Sequence, residues 1–289
     1  MDPYIEAFLF PCPPADHKII NKYKNNIIHI PTQRKIQNKE KIEKIPCFFK
    51  KNDKSNNILI IFHCNGADMF NLSFYSEELS KKYNINILIP EYPGYSIYDS
   101  PHSSEKCLDN SLIIYDFILN NIKNITEKNI YILGRSLGTS PAVYLSSKRN
   151  PAGTFLISPF TTFGTVGNHD EEDYKQLSIH FRSIDYIDKI KNPILIIHGK
   201  IDPLINYNQA VQLYEKCGKD IKKEIILIDD MTHNFLYEDL VKDIIPYIVK
   251  FVDKYCPLDN SENKNIIIDF DKDFYILPEE LQKELSSFK

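Results

Sequence analysis

Six short, unbroken apolar runs separated by longer amphipathic stretches set what this chain can fold into. The runs are Ile58–Phe62, Ile85–Ile89, Ile130–Leu133, Thr154–Ile157, Pro193–Ile197 and Glu224–Ile228. A strand covered on both faces needs apolar side chains throughout, not at alternate positions, and these runs supply them. The stretches between them include Phe74–Lys82, Cys107–Asn121, Gly138–Lys148, Tyr207–Lys216 and Leu240–Tyr255, all of helical length and amphipathic. Strand alternating with helix means βαβ crossovers, so the sequence predicts an α/β fold: a doubly wound, mostly parallel sheet with helices on both faces.

Outside that pattern the chain reads differently. Residues 1–16 form an arm that starts apolar (Phe8, Leu9, Phe10) and ends in the stiff Pro11-Cys12-Pro13-Pro14. It reads as an ordered arm or a membrane-proximal tail, too short to span a bilayer. In residues 17–57, Ile27-Ile28-His29-Ile30 and Pro46-Cys47-Phe48-Phe49 lie between Lys/Asn turns, which predicts antiparallel strands at a sheet edge. The main domain is expected over 17–256, with a small cap at about 160–190. Residues 257–289 form an extension with a strand-like run, Ile266–Phe270, and a helical stripe of Leu277, Leu281, Leu285 and Phe288 begun by Pro278. This extension either packs back on the domain or docks a partner.

A chain of 289 residues, 43% hydrophobic and 26% charged, has the make-up of a globular protein with one good core. Its formal charge of −4 lacks the basic footprint of a nucleic-acid binder. The six cysteines show neither C-x-x-C nor zinc spacing, and neither a metal nor an organic cofactor is implied. With no leader-like start and no apolar run of about 18 residues, a soluble cytoplasmic protein is expected, with peripheral membrane association through the arm as an option.

Ile130–Leu133 runs into Gly134-Arg135-Ser136-Leu137-Gly138, followed by a helical pattern. This is G-x-S-x-G between a strand and a helix, the context that gives the motif its meaning. A serine hydroxyl attacks well only when it is exposed on a sharp turn and bonded to a base. The helix start aims N–H groups at charge developing on a substrate, and the N–H of Leu137 is the expected oxyanion donor. Ser136 is the candidate nucleophile.

Catalytic groups in such a sheet gather at the carboxyl ends of its strands. Glu224–Ile228 is followed by Asp229-Asp230-Met231-Thr232-His233-Asn234, which places His233 in a loop as candidate base. The preceding strand ends in His198-Gly199-Lys200-Ile201-Asp202-Pro203, and a carboxylate there can hold the imidazole in its useful tautomer. Asp202 is preferred over Asp229 and Asp230, which adjoin the histidine itself, and His198 reads as structural. Ser, Asp, His is the chain order this architecture uses.

From about Ile58 to Val252 the motifs resemble the BEM46 and ABHD17 branch of the α/β hydrolases. The matching landmarks are His63-Cys64-Asn65-Gly66, Glu91-Tyr92-Pro93-Gly94-Tyr95-Ser96, Gly134–Gly138, Ser158-Pro159-Phe160, the His198–Asp202 segment and Thr232-His233-Asn234, with Pro141 placed like a proline in such elbows. Pro141 is odd in the second turn of a helix, where it removes a backbone bond. The His63–Gly66 segment resembles the H-G-N loop of these hydrolases, which makes the N–H of Asn65 the second oxyanion donor. Cys64 stands where the family has glycine, a change able to alter the loop's backbone.

What the resemblance implies is hydrolysis of acyl esters or thioesters on a small molecule, a lipid or an S-acylated protein, including removal of palmitate from protein cysteines. The family's arm anchors through several acylated cysteines, whereas this one holds Cys12 alone. The short segment between Ser158 and Ile194 predicts a minimal cap and an open pocket with an aromatic wall, in which Phe160 and Phe163 contact the substrate. Rival readings are an acyltransferase or peptidase on the same triad, or a catalytically silent protein that keeps the fold and binds.

Overall fold

Each apolar run forms a strand because its side chains find apolar partners on both sides. The computed structural model describes residues 5, 8–35, 42–123, 125–235, 239–259, 268 and 270–287. Its strands are β1 (Ile27–Lys35), β2 (Ile42–Lys50), β3 (Ile58–Phe62), β4 (Asn86–Pro90), β5 (Ile130–Arg135), β6 (Gly153–Ile157), β7 (Ile194–Gly199) and β8 (Lys223–Ile228). They form one sheet in the order β1-β2-β4-β3-β5-β6-β7-β8. The β1–β2 and β2–β4 pairs are antiparallel, with Ile27 opposite Phe48 and Ile30 opposite Ile45, and all later pairs are parallel. Every residue of β4, β6 and β7 is buried, whereas β8, an edge strand that opens with Lys223 and Glu224 before four aliphatic residues, is half-buried throughout.

The pleat divides the core in two. Ile130 and Ile132 of β5 join Ile60, Leu156 and Ile196 in one cluster, while Tyr131 and Leu133 join Ile61, Phe155 and Ile197 in the other. Fully burying such an aliphatic side chain contributes roughly 1.5–3 kcal/mol. The described helices are α1 (His17–Tyr23), α2 (Ser73–Tyr83), α3 (Ser104–Asn121), α4 (Thr139–Lys148), α5 (Glu171–Leu177), α6 (Asn208–Lys216), α7 (Ile245–Tyr255) and α8 (Glu279–Ser287). Helix α4 packs in the first cluster through Ala142, Val143 and Leu145, and α7 in the second through Ile248, Phe251 and Val252. Between β6 and β7, where a small cap is expected, lie α5 and three single 3-10 turns. Among the described residues no helix is long and apolar enough to cross a membrane.

Both ends of the chain pack onto this frame. Ile5, Leu9 and Phe10 of the arm are buried in the first cluster, and Cys12 is exposed. In the extension, Ile268 and Phe270 enter the same cluster, Phe270 lying 4.9 Å from Phe49, ring to ring. These two residues are not in a strand, and the rest of the expected Ile266–Phe270 run lies outside the described residues, as does Phe288. Leu285 is buried against the second cluster, with Leu277 and Leu281 partly buried there.

Candidate active site

At the end of β5 the backbone turns through Ser136, whose φ of 51° is left-handed, into a 3-10 turn and then α4. A non-glycine residue in that region costs about 1–3 kcal/mol, so the surrounding structure must enforce it. The two flanking glycines show how. A Cβ on Gly134 would lie 2.3 Å from the Gly138 carbonyl oxygen, and one on Gly138 would lie 2.1 Å from that of Phe62. Strand, turn and helix therefore approach more closely than any side chain allows. Thr139 fastens the turn, its hydroxyl donating to the Ser136 carbonyl at 2.6 Å. Helix α4 begins at Thr139, so Pro141 sits in the first turn and not the second. A first-turn N–H has no partner within the helix, and the proline removes nothing.

His233 lies in the loop after β8, and Asp202 in the loop after β7. The Nε2 of His233 is 3.1 Å from the Ser136 hydroxyl, and its Nδ1 is 2.7 Å from Oδ2 of Asp202. All three side chains are buried or nearly so. The other oxygen of Asp202 accepts the N–H groups of Leu204 and Ile205 at 2.9 and 2.8 Å, which fixes the carboxylate in a turn of its own loop. Burial by itself would raise the Asp202 pKa. Hydrogen bonds from His198, His233 and the Ile205 N–H outweigh it and hold the carboxyl well below the usual range. His198, fully buried, has Nε2 2.9 Å from the Ile205 carbonyl and 3.3 Å from Asp202, so it braces the acid. Asp229 and Asp230 are exposed, and Asp229 pairs with Lys200 at the surface.

The loop after β3 carries Asn65 past Ser136. Cys64 lies at negative φ, and the loop's left-handed position falls on Gly66 at +70°, so a side chain at 64 imposes no backbone strain. Cys64 lines the pocket together with Ser136. Beneath the loop, buried Glu91 accepts from the backbone N–H groups of Met69 and Tyr92 and faces Nε2 of His63 at 3.1 Å. Tyr92 donates to the His63 carbonyl at 2.7 Å, and Tyr95 to the Asn65 side-chain oxygen at 2.7 Å.

These groups open into a pocket of about 390 Å³. Phe160 and Phe163 line it, joined by Val166 and Leu204. Of the other aromatic residues in the cap, Tyr174 is exposed and Phe181 is buried behind Phe163. Besides Val166 and Leu204, sequence reasoning missed three contributors. Arg135 donates to the His233 carbonyl at 3.0 Å and lies 4.2 Å from the Phe235 ring centre, clamping the histidine loop onto the nucleophile turn. Phe8 and Pro11 of the arm form part of the wall. The signal for Arg135 was its place inside the motif; nothing local marked the arm.

The sheet order, the turn at Ser136 and the sequence of motifs define the α/β-hydrolase fold class. Within that class the chain resembles the alpha/beta hydrolase domain-containing proteins 17. It is 29% identical over 204 residues to the human 17B protein, covering 66% of this chain and 69% of the relative. It is 30% identical over 189 residues to the 17C protein of Xenopus tropicalis, covering 65% and 60%. An α/β hydrolase of Acanthamoeba polyphaga mimivirus is 28% identical over 206 residues, covering 71% and 77%. No protein-family model matches the chain. Among solved structures, an esterase of Pyrococcus furiosus superposes with a TM-score of 0.66 over 86% of this chain and 99% of its own, at 15% identity. The Est1E protein of Butyrivibrio proteoclasticus gives 0.59 over 79% and 99%, at 16% identity. At such identities the likeness speaks to the fold.

Proposed function

We propose that this chain is a serine hydrolase that cleaves acyl esters or thioesters, with Ser136 as nucleophile, His233 as base and Asp202 as the residue orienting it. One observation carries the reading: a hydroxyl on a left-handed turn lies 3.1 Å from an imidazole nitrogen whose opposite nitrogen is 2.7 Å from a buried carboxylate. The Ser136 oxygen attacks the acyl carbonyl carbon while its proton passes to Nε2 of His233. The N–H groups of Leu137 and Asn65 stabilise the resulting oxyanion, each such donor being worth about 100- to 1000-fold in rate. As the tetrahedral intermediate collapses, the bond to the alcohol or thiol breaks and His233 returns the proton to it. Water, deprotonated by His233, then attacks the acyl-enzyme and releases the acid and free Ser136.

The apolar wall of Phe160, Phe163, Val166 and Leu204 supports an acyl chain as the bound part of the substrate. The resemblance to the 17-type proteins supports thioesters as the finer class, palmitate on protein cysteines included. A serine-directed fluorophosphonate probe tests the core of the reading: the wild-type chain is expected to label and Ser136→Ala is not. A wild type that stays unlabelled would leave a silent binding protein as the better account. Comparison of p-nitrophenyl esters with an S-palmitoylated peptide tests the finer claim, which fails if short esters alone are cleaved.

A further inference from the structure

The arm is bound on several sides at once. Leu9 and Phe10 are buried in the core, and the Phe10 ring stacks on His102 at 5.1 Å and meets Phe181 edge-on at 6.2 Å. The Cys12 thiol donates to the Gly94 carbonyl at 3.1 Å. Just before these anchors, half-buried Phe8 turns towards the pocket, its ring 5.8 Å from Phe163 and 4.8 Å from His169, both edge-on. Pro11 lines the same pocket and lies over Gly66 of the oxyanion loop. The carbonyl of Phe8 accepts from the Asn65 side-chain amide at 3.5 Å, and the Asn65 side-chain oxygen is held by Tyr95. One short segment thus touches the cap, the aromatic wall and the residue whose N–H faces the developing oxyanion.

We propose that residues 8–12 are a fixed wall of the acyl pocket, with Phe8 setting the length and bulk of the chain it accepts. This rests on the hydrolase reading above and adds a specificity determinant to it. The physical basis is direct. An arm anchored by buried Leu9 and Phe10 holds Phe8 in one place, and a fixed aromatic ring against Phe163 excludes chain atoms from the volume it fills. Cutting the ring back to a methyl group opens that volume without touching Ser136, His233 or Asp202. A pocket that gains or loses room for a methylene discriminates by roughly 10-fold or more.

The test is the rate of Ser136 labelling by alkyl fluorophosphonates of ethyl, octyl and dodecyl chain length, in the full chain and in Phe8→Ala, Phe8→Leu and Phe8→Trp. Phe8→Ala is expected to raise the dodecyl-to-ethyl rate ratio about 10-fold, Phe8→Trp to lower it by a similar factor, and Phe8→Leu to fall between wild type and Phe8→Ala. A purely structural arm would slow all three probes by one factor in step with a lowered Tm, and an unchanged ratio in variants that still label overturns the proposal. Failure of the hydrolase reading looks different, since the wild-type chain then labels with none of the probes. Should Phe8→Ala fail to fold, the Phe8→Trp and Phe8→Leu ratios decide.

Discussion

The His63–Glu91 and His233–Asp202 pairs lie at the same end of the sheet, and only in the second does the imidazole also face a hydroxyl. His63 faces Glu91 at 3.1 Å through Nε2 and the Cys64 carbonyl at 3.1 Å through Nδ1, and it is fully buried. His233 faces Asp202 at 2.7 Å through Nδ1 and the Ser136 hydroxyl at 3.1 Å through Nε2, at the pocket floor. The neighbours of His63 are a backbone carbonyl and a carboxyl already holding two backbone N–H groups, and neither is a hydroxyl open to the pocket. The hydroxyl facing His233 can donate, and a substrate can reach it. A buried imidazole beside a carboxylate is therefore a fastening or a base according to what its second nitrogen meets. His63 with Glu91 fastens the loop that carries Asn65; in the proposed mechanism His233 with Asp202 has a proton to take.

Substitutions separate the two pairs, and the largest effect belongs to the second. Ser136→Ala is expected to reduce kcat by about 10⁶-fold with the fold intact, read from ester turnover and the far-UV spectrum. Asp202→Asn keeps an oxygen for the Leu204 and Ile205 N–H groups but favours the wrong tautomer of His233, and should lower kcat about 10⁴-fold. Because the Asp202 carboxyl is held below the usual range, its contribution to stability is present above about pH 4 and is lost only as pH falls further through its folded pKa. An acid limb in kcat/KM at higher pH must belong to another group. Glu91→Gln removes a carboxylate that serves two backbone N–H groups and His63, and should cost about 1–3 kcal/mol in denaturant unfolding while Ser136 still labels. If labelling vanished with stability unchanged, the contrast between the pairs would be wrong.

A buried histidine remote from both carboxylates sharpens the comparison. His29 in β1 is 3% exposed, and burial first, then Lys44, lowers its pKa to about 4 against the opposing effect of a bond to the Phe274 backbone. The folded chain keeps this ring neutral while the unfolded chain binds a proton below about pH 6.5, so stability should fall as pH drops from there towards 4. The loss attributable to His29 is roughly 2 kcal/mol at pH 5, and His29→Gln should remove it from the pH profile of urea unfolding.

Local patterns made most of this legible in the sequence. The apolar runs gave the parallel strands to within one or two residues, and the order in which Ser136, Asp202 and His233 follow their strands placed all three at one rim. The glycines at 134 and 138 marked the sharp turn because their requirement is met within a few residues and one neighbouring strand. Pro141 lies one turn earlier in its helix than the sequence predicts, since the start of α4 depends on how long the 3-10 segment at Ser136 runs.

What the amino-acid order determined by itself was the layered sheet and the identities of the groups at its rim, because side-chain period and strand-end position are properties of neighbouring residues. Tertiary structure alone decided the contacts that shape the pocket: Phe8 against Phe163, Arg135 on the His233 carbonyl, Glu91 beneath His63. Each joins segments far apart in the chain. Their meeting follows from the paths of loops across the sheet and from which core cluster claims the arm, and no run of adjacent residues carries that information.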